Sequence, residues 1–298
     1  MSKILIMIMS CNQEHFINQE QDCKDTYLSR LPENIDYLIY RGGNDNVEYN
    51  ENTKVLHLTS KDDLGNTFKK TYEAFSWVIN KYSDEYEYIF RTNTSTYVNI
   101  DLLNAFVQSL GIKNRHEIWG GEIVYNIDED SLCDTLYIRG NGLLLNIETI
   151  RGILNIGWGY YLLNNVRLVD DGVLGCIYNT YNSLYTKQFI PYIKSFKEGW
   201  YKAILGTYYR HSVCQMNNDN IDFDFLKQLM IIQIRNWYDR TKESEHFRII
   251  DEVFKNNKDI DIDKTVQEQY KYSECPDVFL GQHYGFRPYY EIVSKTKR

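Results

Sequence analysis

Two adjacent carboxylates, Asp170 and Asp171, stand at the mouth of the apolar run LVDDGVLGCIY (168–178). Carboxylates held side by side repel, which raises the pKa of one of them toward the range in which a general base works near neutral pH. The pair itself does not say which one is raised. Placed at a helix N-terminus, the same two residues would have a plainer task as caps. A second cluster lies in YEYIFRTNTSTYVN (86–99), a buried strand that ends in Thr92, Asn93, Thr94, Ser95 and Thr96. Ligands of an open α/β sheet bind beyond the carboxyl ends of its strands, so this polar tip is where one would be sought. An ordinary strand-to-loop exit is the alternative.

The elements that must position these groups are readable from periodicity. KILIMIMS (3–10) is a continuous apolar run of the kind a fully buried parallel strand requires, and it ends in Ser10, Cys11 and Asn12. A polar helical stretch (18–30) follows, then DYLIYR (36–41) and KVLHL (54–58) as short strands around a Gly-Asn-Asp-rich loop. Over 66–82, Phe68, Tyr72, Phe75, Val78, Ile79 and Tyr82 recur at three- and four-residue steps and predict a helix, with Asp62, Asp63 and Asn66 available as caps. Residues 100–110 suit a short helix. EIWGGEIVY (117–125) and LYIRGNGLLLN (136–146) suit strands whose glycines, including Gly140 and Gly142, permit close approach. Amphipathic helices are expected over 222–239, on Phe225, Leu229, Ile232 and Trp237, and over 246–254.

Composition narrows the classes. The 298 residues, 43% hydrophobic and 25% charged, are ordinary for a folded protein, and the net charge of −8 with scattered Lys and Arg argues against a nucleic-acid partner. The 26 tyrosines suit a protein that handles sugars or nucleobases, and fit an AT-rich source equally well. Six cysteines lie far apart with no CxxC pair, which predicts free thiols. No run approaches the roughly 20 apolar residues that span a bilayer, and the apolar stretch at 4–9 is too brief for a signal peptide, so the expected location is cytoplasmic.

Three blocks in order carry a family resemblance: KTYEAFSWV (70–78) leading to YIFRTNTSTYV (88–98), then RGNGLLLN (139–146), then VDDGVLG (169–175). This arrangement resembles the fringe and β-1,3-galactosyltransferase group of GT-A glycosyltransferases, over about residues 66–178. The resemblance implies a Rossmann-like α/β fold with a mainly parallel sheet flanked by helices. On that reading residues 1–215 form the transferase domain, and 216–298 a C-terminal helical segment packed on it. It implies an inverting transfer of a hexose from a nucleotide sugar, a UDP donor foremost, to a hydroxyl of a glycan acceptor, soluble or lipid-linked. Asp171 falls at the family's catalytic base, with Asp170 orienting it or contacting the acceptor. GQHYGF (281–286) is similar to a late His-Tyr pair that supplies a metal-ligand histidine.

The family's metal-binding aspartates align with Asn93, Thr94 and Ser95, none of which is anionic. A hard divalent cation favours carboxylate oxygens, so binding of Mn²⁺ or Mg²⁺ in the family's manner is not expected, and Asn93, Ser95 and His283 are the remaining candidate ligands. The diphosphate then needs another partner: Arg91, Arg139 and Arg210 are candidates because guanidinium binds phosphate in bidentate fashion, with structural ion pairing as the alternative. Ser10, Cys11, Asn12 and Asp62 or Asp63 are candidates for the nucleotide, with Lys70 for phosphate, and Asn93, Ser95, Arg139 and Gly140 complete the donor-binding candidates. The rival reading is a noncatalytic carbohydrate- or nucleotide-sugar-binding protein on a degenerate fold, against which the paired aspartates weigh. A nucleotidyltransferase would want a Gly-rich basic loop where SCNQEHFINQ (10–19) stands.

Overall fold

The computed structural model describes residues 1–110, 118–119, 123–126, 135–138, 140–164, 170–175, 177, 231–234 and 243–256. In chain order the elements are β1 (Ile4–Met9), α1 (Glu14–Asp25), a 3-10 turn (Tyr27–Arg30), β2 (Ile35–Arg41), β3 (Glu48–Asn50), β4 (Val55–His57) and α2 (Thr67–Tyr82). Then come β5 (Tyr88–Asn93), β6 (Thr96–Val98), α3 (Ile100–Leu110), β7 (Ile118–Trp119), β8 (Ile123–Asn126), β9 (Thr135–Ile138), β10 (Leu143–Asn146) and α4 (Ile147–Asn164). Residues 170–175 are helical, β11 spans Ile231–Gln233 and α5 spans Glu243–Asn256.

Apolar residues fill β1 because it lies inside the sheet with both faces covered. The seven strands run in the order β3-β4-β2-β1-β5-β10-β7. Four of them, β4, β2, β1 and β5, are mutually parallel; β3 closes one side antiparallel to β4, and β10 pairs antiparallel with both β5 and β7. The chain is a Rossmann-like α/β protein with a mainly parallel sheet. Its strand order reverses between β1 and β5, because β2 and β4 lie to one side of β1 and β5 to the other. Such a reversal leaves a crevice outside the carboxyl ends of the two strands, here at Ser10 and Asn93.

Register decides which side chains face which layer. Met9, Tyr40 and Asn93 are Cα partners and share one face, and Arg91 points the same way from two residues earlier on β5. On that face lies α2, whose buried stripe Phe68, Thr71, Phe75 and Val78 follows the helical period. Tyr72 of α2 donates its hydroxyl to the Leu154 carbonyl of α4 at 2.8 Å, which ties the two helices together. The opposite face receives α1, and α5 packs on α1 through Gln19 with Glu243 and through Asp22 with Ser244. Asp251 of α5 also accepts from Tyr97 at 2.9 Å and pairs with Arg30.

The expected amphipathic helix over 222–239 is replaced, at 231–233, by a strand. Here β11 pairs antiparallel with β6, and the Ile234 N–H continues the ladder to the Ser95 carbonyl at 2.7 Å. An apolar run of Ile-Ile reads equally as helix or strand, and the unpaired edge of β6 settles it. Helices over 18–30, 66–82, 100–110 and 246–254 appear near their expected bounds as α1, α2, α3 and α5. Among the described residues no helix is long and apolar enough to cross a membrane.

Candidate active site

Arg91 sits in the middle of the site as a cation in the core, 1% exposed on β5. All three of its guanidinium nitrogens have acceptors inside the core. One Nη donates to Asp170 Oδ2, the other to the Gly140 carbonyl, and Nε donates to the Tyr40 hydroxyl at 3.3 Å. Tyr40 and Thr71 hydroxyls lie 3.1 Å apart, and Thr71 donates to the same Asp170 oxygen at 3.2 Å. With Thr71 donating to Asp170, the Tyr40 hydroxyl donates to Thr71, so two donor paths run from Arg91 to the same carboxylate: one direct, the other through Tyr40 and Thr71. Burial opposes the guanidinium's charge most strongly of any single influence, but Asp170, Tyr40 and Asp171 together outweigh it, and the Arg91 pKa is raised. Arg91 therefore remains cationic in the core.

Asp171 emerges from this base. Asp170 is buried, whereas its neighbour keeps partial contact with solvent. One carboxylate oxygen of Asp171 accepts from the Gly140 N–H at 2.9 Å and the other from the Gly172 N–H at 2.9 Å. Burial and then the Asp170 charge push its pKa from 3.8 up to about 6, against the lowering effects of the Gly140 N–H, Arg91 and the Gly172 N–H. Gly140 is the pivot, since its N–H holds Asp171 while its carbonyl holds Arg91. A Cβ there would come 2.9 Å from Arg91 Cζ and closer still to Nη1, so the position is restricted to glycine.

The second half of the site gathers on the loops after β1, β2 and β4. Lys70, 3% exposed on α2, donates to the Ser10 carbonyl at 2.7 Å and to Asp62 Oδ1 at 2.7 Å. Asp62 also accepts from the Asn12 N–H at 2.6 Å and the Gly42 N–H at 3.3 Å, stitching three loops to one carboxylate. Asn12 reaches back to the Gly42 carbonyl at 2.9 Å. Cys11 is half-buried, and burial foremost raises its thiol pKa; it and Cys23 are free thiols. The two halves are continuous. Ser10 directly follows Met9, the last residue of β1, and Thr71 and Lys70 are neighbours on α2.

Several expected roles need correction. The polar side chains of the strand tip are spent largely on one another and on neighbouring elements. Asn93 Oδ1 accepts from the Ser95 N–H at 3.1 Å, the Ser95 hydroxyl at 2.8 Å and the Thr96 hydroxyl at 3.0 Å, the geometry of an Asx turn. Thr92 donates to the Asn141 carbonyl at 2.7 Å and Thr94 to Gln19 at 2.9 Å. With its lone pairs taken and no carboxylate beside it, Asn93 does not fit a divalent cation, and Ser95 spends its hydroxyl on Asn93. Among the described residues no three His, Cys, Asp or Glu side chains gather as a metal site. Arg91 is no phosphate ligand as placed, because it is buried in the core and paired there with Asp170. Asp63 is an exposed cap, accepting from the Asn66 N–H at 2.9 Å, and Asp62 takes the organising place. Asp170 is the inner partner of Arg91, shielded from an acceptor. Arg139, Arg210 and His283 lie outside the described residues.

Sequence reasoning missed Tyr40 and Thr71. Thr71 had a signal, a hydroxyl in the otherwise apolar stripe of Phe68, Phe75 and Val78. Tyr40 had none beyond the rule that a buried phenol finds a partner.

The fold and these groups define a Rossmann-like α/β protein with a carboxylate poised at the sheet's switch point. The chain matches no model of a known protein family, and no curated protein matches it. Among solved structures it is similar to the crystal structure of a glycosyltransferase involved in the glycosylation of the major capsid of PBCV-1, with 12% identity over 83% of this chain and 99% of that one, at a TM-score of 0.40. At that level of likeness nothing follows for the activity or the residue roles of this chain.

Proposed function

We propose that this chain is a glycosyltransferase of the GT-A type that moves a hexose from a nucleotide sugar, a UDP donor foremost, to a glycan hydroxyl with inversion. The observation that carries the reading is Asp171: a partly exposed carboxylate with its pKa raised to about 6, braced by Gly140 and by the Asp170–Arg91 pair beside the switch point. Inverting transfer needs one base. As the acceptor oxygen attacks the anomeric carbon, Asp171 takes its proton, and the bond to the diphosphate oxygen breaks on the opposite face of the sugar. A carboxylate with a pKa near 6 is ionised at neutral pH yet more basic than an ordinary one, which suits the task. Asp170 and Arg91 do not touch substrate in this scheme; they position Asp171 and set its charge environment.

Ser10, Cys11 and Asn12 would flank the nucleotide at the end of β1, with Lys70 as the cation nearest the diphosphate. An ammonium carries three N–H donors, and among the described residues Lys70 uses two. The lack of a carboxylate in the Asn93 knot favours leaving-group stabilisation by protein donors, with no divalent cation held there. The acceptor in this reading is a surface glycan, soluble or lipid-linked, met in the cytoplasm.

The test is to incubate the full chain with a panel of nucleotide sugars, with and without EDTA, and follow donor binding and hydrolysis. One donor hydrolysed equally in EDTA, with hydrolysis lost and binding kept in Asp171→Asn, supports the reading. Binding of a donor with no turnover by any acceptor or water would favour the noncatalytic alternative, and binding of none would defeat the transferase reading and leave carbohydrate binding as the alternative.

A further inference from the structure

Asn141 lies between the two glycines of the turn that enters β10, and its backbone is pinned. Gly140 before it holds Arg91 and Asp171. Gly142 after it admits Ile231 of β11, whose Cγ1 would come 3.2 Å from an added Cβ, with Cδ1 closer still. The Asn141 carbonyl accepts from Thr92. Its side chain is 3% exposed, yet neither Nδ2 nor Oδ1 has a hydrogen-bond partner. Among the described residues it is the one buried amide side chain with both ends unpaired; Asn99, by contrast, uses Oδ1 to cap α3 through the Leu102 N–H at 3.2 Å.

A buried amide with neither end satisfied is costly, and folded proteins keep few of them. Nothing in the turn requires an amide here, since the backbone alone makes the Thr92 contact. We infer that Asn141 is a specificity residue, and that its amide pairs with hydroxyls of the donor hexose bound against Asp171. Oδ1 accepts and Nδ2 donates, so the amide matches neighbouring sugar hydroxyls, each of which both donates and accepts. The residue before it, Gly140, carries the N–H that holds Asp171, the base in this reading, whereas the Ser10, Asn12 and Lys70 group assigned to the nucleotide lies on other elements. The inference rests on the glycosyltransferase reading.

The test compares wild type, Asn141→Leu and Asn141→Ser by calorimetric titration with UDP, UDP-glucose, UDP-galactose and UDP-N-acetylglucosamine, beside thermal melts of the free proteins. Leucine has nearly the same size and removes only the unpaired polar atoms. Its expected signature is ~10-fold or greater loss of affinity for the nucleotide sugar that wild type binds best, with UDP affinity unchanged and the melting temperature equal or higher. Serine, which keeps one hydroxyl, should fall between. Equal affinity of Asn141→Leu for the sugar donor overturns the inference and leaves the glycosyltransferase reading standing. So does an equal loss for UDP alone, which would put the amide on the base, or a lowered melting temperature in both variants, which would make Asn141 structural. Failure of wild type to bind any of the four ligands defeats the UDP-donor form of the parent reading, and this inference with it.

Discussion

Asp171→Asn should remove activity and, at neutral pH, leave the protein as stable as wild type or more so. The folded-state pKa of Asp171 is about 6 against 3.8, so ionising it in the folded protein costs a little over two pKa units. At ~1.4 kcal/mol per unit this is at most about 3 kcal/mol, and the partial exposure of the group discounts it to about 1–3 kcal/mol. Between pH 3.8 and 6 the folded state binds the extra proton, so this carboxylate lowers wild-type stability as pH rises through that window; below it the penalty is absent. Asparagine carries no charge, but it keeps only one of the two oxygens that accept from Gly140 and Gly172, at a cost of about 1 kcal/mol. The variant is thus expected to be slightly less stable than wild type at pH 4 and equal or up to about 2 kcal/mol more stable at pH 7. Urea denaturation of both proteins at half-unit pH steps measures the difference directly. A stability difference that stays constant from pH 4 to pH 7 would refute the claim that Asp171 is desolvated against Asp170. In wild type, turnover should rise with pH along a limb centred near 6, where the base ionises.

The buried ion pair and its glycine pivot give two further expectations. Arg91→Met strands the Asp170 carboxylate beside Thr71 and should cost about 3–5 kcal/mol in chemical denaturation, much of which returns in the double variant Arg91→Met with Asp170→Leu. Gly140→Ala drives a methyl into the guanidinium and should destabilise by about 1–3 kcal/mol; crystallography or the pH limb of turnover would then show Asp171 released from its N–H clamp.

Much of the frame was legible because it follows from local rules. β1 announced itself as a six-residue apolar run, α2 by its three- and four-residue steps, and the Asp170–Asp171 pair by adjacency alone. The edge strand β3 and strand β11 were not legible, since three residues carry too little pattern to outweigh a competing helix or loop. Polar residues misled in a systematic way. At the end of β5 they suggested ligand contacts, and the chain instead spends them on an Asx turn and on Gln19 and Asn141. Composition cannot separate these uses, because a hydroxyl satisfied by its neighbours and one turned to a ligand are the same residue type.

The amino-acid order alone determined the parallel strands, the helix that backs them and the presence of two carboxylates near a glycine-rich turn. Only the tertiary structure decided which carboxylate does what. Arg91 meets Asp170 across 79 positions of the chain, and that meeting neutralises one aspartate inside the core while leaving the next at its margin, unpaired by a cation among the described residues and with a raised pKa. Charge pairing of that kind depends on distance in space and on burial, and neither is written in the spacing of residues along the chain.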